Sequence, residues 1–181
     1  MTSQLQIQQI DVSQSQLLSE LAKKIYIPHY PYLWNEGGVD WYIHEYAYPV
    51  EKITSEIADP NNLHFIAYLN NEPIGYLKLN INAHYKDCDP ITTLELERIY
   101  VLNTCIKKGV GTQLIEFVKG VAINLNKKDI ILKAMDSANL ALQFYKKNGF
   151  EIIDEFKLPA QVFTLMKPEY RGMFVLKHCL I

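Results

Sequence analysis

Cysteine is scarce in this chain of 181 residues, and the little there is builds no recognisable framework. Cys88, Cys105 and Cys179 are widely spaced, odd in number and in no CxxC pair. That argues against a disulfide scaffold and against a cysteine-based zinc site. His29, His44, His64, His84 and His178 form no i, i+4 pair and no HExxH, so no catalytic metal is expected. No apolar run approaches the roughly 20 residues of a bilayer span. The N-terminal MTSQLQIQQIDVSQ has no basic start followed by an apolar core, so no signal peptide is expected. A formal net charge of -2 offers no basic excess for general nucleic-acid binding. Repeats, linkers and low-complexity tracts are missing too. A 49% hydrophobic and 21% charged chain can bury a real core, which predicts one globular α/β domain over 1–181, cytoplasmic in location.

The elements follow from periodicity and punctuation. Leu5, Ile7 and Ile10 nearly alternate, as in a first strand. Ser13 and Gln16 have capping-box spacing, and Leu17, Leu18, Leu21 and Ile25 continue at helical spacing up to Pro28. From Tyr26 to Tyr48 the composition turns aromatic, with a short helix expected near Val39 to Tyr46. A second short helix, Val50 to Ala58, ends at Asp59-Pro60. His64 to Leu69 and Ile74 to Ile81 read as a hairpin about Asn70-Asn71-Glu72. Thr92 to Leu102 is the expected central strand, followed by a helix after Gly109. Ile130 to Met135 is a short apolar run, as in a buried strand. A helix from Asn139 to Asn148 closes on Gly149 at C′. Phe150 to Phe156 and Val162 to Lys177 are the last two strands, the second broken near Pro168 and Gly172. The order is β-α-α-β-β-β-α-β-α-β-β.

Four features could carry chemistry. The stretch Leu94 to Leu125 runs strand, basic Gly-x-Gly loop, helix. Amides of Lys108 to Thr112, with charge from Lys107 and Lys108, could cradle a phosphate at the helix N-terminus. An ordinary helix start is the competing reading, since there is no third glycine of a dinucleotide fold and no Gly-Lys-Ser/Thr. Glu95 and Glu97 stand two apart on a strand, which points both with Ile99 and Val101. Among apolar neighbours such carboxylates could form a general base with a raised pKa, or else a solvated strand face or partners for lysines across the sheet. Phe144 and Tyr145 diverge by about 100° on their helix, so one faces the core and the other a cleft. A tyrosine there could donate a proton to a leaving group. Finally, the aromatic stretch, with Tyr30, Tyr32, Trp34 and Trp41, is either a recognition wall or a packed lid. Glu36, Asp40, Glu45 and Glu51 would add negative charge beside it.

Taken together, LELERIYVLNTCIKKGVG, ALQFYKKNGF and EPIGYLKLNIN resemble the GNAT (Gcn5-related) N-acetyltransferase family over nearly the whole chain. The combination is similar to the PaiA-like branch, which acetylates polyamines. The resemblance implies a mixed, mostly antiparallel sheet flanked by helices and splayed at its central strand. It also implies acetyl-CoA as cofactor and direct transfer to a small-molecule amine in a ternary complex, with no nucleic-acid or membrane partner and a homodimer left open. Carried over by position, Ile99, Tyr100 and Val101 would hold the pantetheine arm. Lys107, Lys108, Gly109, Val110, Gly111 and Thr112 would hold the pyrophosphate, with Asn139 a further contact. Tyr145 would protonate the thiolate, and Glu97 or Glu95 would serve as base. Tyr30, Tyr32, Trp34 and Trp41 would border the acceptor. Two positions depart from the family: Ile106 replaces the usual Gln or Arg, and Ala138 the usual Asn. A non-catalytic acyl-CoA sensor is the alternative from another class.

Overall fold

The turn chemistry between the first two long strands is realised directly. Asn70 and Asn71 adopt φ of 53° and 65°, the left-handed pair of a tight hairpin, in which asparagine is among the tolerated residues. In the computed structural model, which describes residues 5–86 and 88–180, this hairpin joins β2 (Asn62–Leu69) to β3 (Glu72–Asn80). The strands β1 (Leu5–Gln9), β4 (Thr93–Val101), β5 (Asp129–Met135), β6 (Glu151–Lys157) and β7 (Gly172–Cys179) complete one sheet, in the order β1-β2-β3-β4-β5-β7-β6. Every neighbouring pair is antiparallel except β4 and β5.

Helices cover both faces. On one face α4 (Val110–Asn124) sets Leu114, Ile115, Val118 and Ala122 into a core with Leu77, Leu79, Leu94 and Leu96. On the other, α1 (Ser15–Tyr26) and α3 (Val50–Ala58) bury Leu18, Ala22, Ile25 and Ile53 with Ile66 and Tyr76. Full burial of each large apolar side chain is worth about 1.5–3 kcal/mol, so both faces of the sheet are substantially anchored. The capping box forms two residues earlier than its sequence pattern suggested. Asp11 accepts from the Ser13 amide and Gln14 reaches back to Asp11, opening a short 3₁₀ turn ahead of α1. The expected helix near Val39 to Tyr46 is α2 (Gly38–Trp41) running on into a π-helical turn, Tyr42–Ala47. The helix α5 (Asn139–Lys147) ends as expected at Gly149, which has φ of 86°.

Two irregularities of β4 shape everything that follows. Lys78 pairs with Arg98 but Leu79 pairs with Leu96, so Glu97 is the extra residue of a β-bulge. Across its other edge, β4 pairs with β5 only from Thr93 to Leu96, opposite Asp129 to Leu132. Beyond that point the two strands part, and a gap opens beside Glu97 to Val101.

The final strand is shorter than its apolar pattern suggested. Residues 158–171 are a connection, and β7 begins at Gly172. That connection is clipped to the aromatic segment by a bridge between Trp34 and Met166, with the Lys167 amide donating to the Leu33 carbonyl at 2.9 Å.

Candidate functional site

The parting of β4 from β5 leaves a cavity of about 210 Å³, lined by Ile99, Tyr100 and Val101 on one side and by Ala141, Phe144 and Tyr145 on the other. Both aromatics of α5 border it, where the sequence reading gave one to the core. The residue of α5 that enters the core is Leu142. Tyr145 has no hydrogen-bond partner for its hydroxyl among the described residues, and burial, then the neighbouring Tyr30, pushes its pKa well up. It is therefore a neutral phenol, able to donate. Phe144 packs on Gly111, where a Cβ would stand 3.1 Å from the ring, so the glycine lets α5 approach the start of α4.

The loop ahead of α4 has the conformation of an anion cradle. Lys107 and Gly109 sit at φ of 63° and 78°, and Gly109 caps the helix with no side-chain hydrogen bond to its first turn. The first amides of a helix have no intrahelical acceptor, so here they are left for a ligand or water. Lys107, Lys108 and Thr112 are exposed around them, while Val110 turns into the core. Ile106, at the position that departs from the family pattern, lines the gap. Asn139 is exposed at the first position of α5 and is not among the residues lining the gap. A strand edge beside an apolar slot, leading to an uncapped helix N-terminus, fits a pantetheine arm and a pyrophosphate.

A second cavity of about 440 Å³ lies next to the first, and Tyr30 and Tyr100 line both. Of the expected recognition residues, Tyr30 and Trp34 line it. Tyr32 instead packs edge-on against Tyr170, and Trp41 stands behind the wall against Trp34 and Tyr46. Tyr26, Tyr42 and Tyr46 of the same aromatic stretch line it too, as do Lys52, Glu56 and Phe163, which the sequence reading missed. Glu36, Asp40, Glu45 and Glu51, expected to charge this wall, are exposed elsewhere.

Glu95 and Glu97 both line this second cavity, on the face opposite Ile99 and Val101. The parity argument fails because the bulge at Glu97 advances the alternation by one. Glu95, Glu97, Arg98 and Tyr100 then share one face, while Leu96, Ile99 and Val101 pack on the other. The expected apolar setting is also absent. Glu95 accepts from Lys133 at 2.8 Å and from Asn80 at 2.9 Å. Glu97 pairs with Lys78 at 2.8 Å and Arg98 at 3.4 Å, and accepts from Asn80 at 2.8 Å. Glu56 completes the cluster, bonded to Arg98 at 2.8 Å and Lys78 at 3.3 Å. Burial pushes Glu97 up, but Arg98, Lys78 and Asn80 outweigh it and hold the carboxyl below its ordinary value. Of the readings that the sequence left open for these glutamates, pairing with lysines across the sheet is the one realised, and at Glu97 it replaces the raised pKa.

Residues 22–150 match the model of the Acetyltransferase (GNAT) family. A curated relative, an uncharacterized N-acetyltransferase in the pepI 3′ region of Lactobacillus delbrueckii subsp. lactis, is 31% identical over 106 residues. The match spans 58% of this chain and 61% of that protein's own length. Among solved structures, the PaiA N-acetyltransferase of Thermoplasma acidophilum in complex with coenzyme A is similar at a TM-score of 0.76 and 20% identity, covering 97% of this chain and 99% of the other. A spermidine N-acetyltransferase SpeG chimera from Vibrio cholerae and hSSAT is similar at 0.68 and 16%, covering 98% and 96%. At such identities these two likenesses concern the fold.

Proposed function

This chain belongs to the GNAT acetyltransferase family, and we propose that it moves an acetyl group from acetyl-CoA to a primary amine of a small molecule by direct transfer in a ternary complex. The observation that carries this reading is the meeting of two cavities at Tyr30 and Tyr100, one built like a cofactor slot and the other walled by rings and carboxylates. Residues of this chain fit the cofactor: the free edge at Ile99 to Val101 for the pantetheine, and amides and lysines from Lys107 to Thr112 for the pyrophosphate. Asn139 is a further contact in the same proposal. When bound, acetyl-CoA supplies a thioester whose carbonyl carbon accepts the nitrogen lone pair.

The chain's own groups do the rest. The amide of Val101 polarises the carbonyl oxygen. Tyr145 Oη delivers a proton to the sulfur as it leaves; its raised pKa keeps the phenol protonated until that moment, and its hydroxyl has no competing partner among the described residues. Glu95 and Glu97 receive the proton lost by the amine, directly or through water. Glu97, held ionised by its cations, is the weaker acceptor by Brønsted reasoning and is suited to hold an incoming ammonium. Atoms balance: one N–C bond forms and one S–C bond breaks, the uncharged amine gives one proton to a carboxylate, the thiolate takes one from Tyr145, and the carboxyl's proton returns through water to the tyrosinate.

Free thiol released from acetyl-CoA, followed across a panel of polyamines, amino acids, aminoglycosides and peptide N-termini, tests the proposal. Turnover with at least one amine, together with a thermal shift by CoA, supports it. A shift without turnover on any amine would sink the enzyme reading.

A further inference from the structure

We infer, building on the acetyltransferase reading, that the acceptor is an amino acid or amino-acid-like molecule. Its amine is carried to the cofactor slot on an apolar body whose other end bears an anion recognised by Lys52. The resemblance to polyamine acetyltransferases points the other way, and the charge balance of the cavity decides between them.

Three carboxylates face this cavity, and all three are already ion-paired: Glu95 with Lys133, and Glu56 and Glu97 with both Lys78 and Arg98. Lys52, Arg98 and Lys133 line the cavity with them, and Lys78, outside the lining, also pairs with Glu56 and Glu97, so the carboxylates are satisfied without Lys52. Lys52 is the one of the four with no carboxylate ion partner among the described residues. Its ammonium donates to the Tyr46 carbonyl and lies over the Tyr46 ring, 4.6 Å from the centroid. Two of its three donor positions are left for something else. A second cation arriving at that end would meet a like charge on the very ring face that could have bound it. A carboxylate would meet a free donor.

The distance between the two ends is spanned by rings. Tyr30, at the junction with the slot, contacts Tyr26 at 4.6 Å between centroids; Tyr26 stacks on Tyr42 at 4.8 Å, and Tyr42 on Tyr46 at 5.7 Å. All four line the cavity. This row leads from the reacting end to Lys52 and offers an apolar body continuous aromatic contact. Their phenols are neutral donors, so none of them supplies a counter-charge for a polycation.

The test compares α- and ω-amino acids with the amines left by removing their carboxylates, and with spermidine, by thiol release at saturating acetyl-CoA. The expected result is a kcat/KM at least about tenfold higher for the carboxylate-bearing member of the best pair, the scale of one charge-assisted hydrogen bond. Lys52→Met, which keeps the aliphatic stem, is expected to erase that gap, and Lys52→Arg to retain most of it. A merely structural role would lower both members of the pair alike. Preference for spermidine or for the carboxylate-free amine, or a gap unchanged in Lys52→Met, would overturn the inference while leaving the acetyltransferase reading intact. The absence of thiol release with every amine tried would overturn both.

Discussion

Glu95 and Glu97 share a single donor: the side-chain nitrogen of Asn80 lies 2.9 Å from one carboxylate and 2.8 Å from the other. Two negative groups held this way stay side by side because Lys133 and Arg98 occupy their remaining oxygens and Lys78 joins Asn80 on Oε2 of Glu97. Asn80→Leu removes the shared donor and leaves both carboxylates with cations alone. The expected outcome is a fall in kcat of about 10-fold or more with little change in the thermal shift produced by CoA. Steady-state kinetics and melting curves with and without CoA check this, and an unchanged kcat would remove Asn80 from the site.

Tyr145→Phe deletes only a hydroxyl that has no partner among the described residues, so the fold should not notice it. If the phenol is the acid, turnover drops by about 10² to 10⁴ and the CoA melting shift stays as it was. Equal turnover in the variant would assign the leaving-group proton to water.

Breaking the buried ion cluster at Glu56 has a different signature. Glu56→Gln leaves Lys78 and Arg98 sharing one carboxylate, and removing a partner from a buried pair costs about 3 kcal/mol or more. Urea unfolding of the two proteins should show a lower midpoint with an unchanged slope.

His64 makes stability depend on pH. Its side chain is 2% exposed and neither ring nitrogen has a partner among the described residues; burial pulls its pKa down from 6.5 to about 4. At pH above the unfolded value neither state is protonated, and the contribution is complete. As pH falls from 6.5 towards 4 the unfolded chain takes a proton that the folded one resists, so stability is lost across that window. The loss attributable to this residue approaches about 3 kcal/mol. Unfolding free energies at pH 7 and pH 4.5 should differ less for His64→Leu than for the parent; an equal difference would contradict the assignment.

At the phosphate loop, Gly109→Ala forces a side chain into φ of 78°, a penalty of about 1 kcal/mol. Gly111→Val drives a branched side chain against Phe144, already 3.1 Å from a bare Cβ, and pushes that ring into the slot. The second substitution should reduce the CoA melting shift more than the first. The opposite order would mean that Phe144 does not border the cofactor.

Sequence and structure agree where local rules suffice. The Asn-Asn hairpin, Gly149 after α5 and the apolar face of α4 each follow from one segment's own residues. The gap proposed to take the cofactor could be placed from sequence for the same reason, because most of its lining comes from the runs 99–112 and 139–147. The bulge at Glu97 was not legible. Nothing in ELERIYV distinguishes a bulged strand from a regular one, and one extra residue turned both glutamates to the other face. The cavity proposed for the acceptor was legible only in part, since Tyr26, Tyr30, Trp34, Tyr42 and Tyr46 could be suspected from composition. Lys52, Glu56 and Phe163 come from helices and loops whose meeting depends on long-range packing. Pairing of the glutamates with lysines across the sheet was among the sequence's readings, but which lysines could be known only once β3 and β5 flank Glu97 and Glu95 with Lys78 and Lys133.

The clip between Trp34 and Met166 bears on how this molecule assembles and diversifies. It ties the cavity's aromatic wall, near the start of the chain, to the segment before the last strand. A ribosome-bound chain lacking its final residues would have the walls of the cofactor slot but an acceptor cavity with no roof. Two surface segments held together at their tips can also be exchanged as a pair, giving a new acceptor shape while the β4 edge and the glycine loop stay untouched.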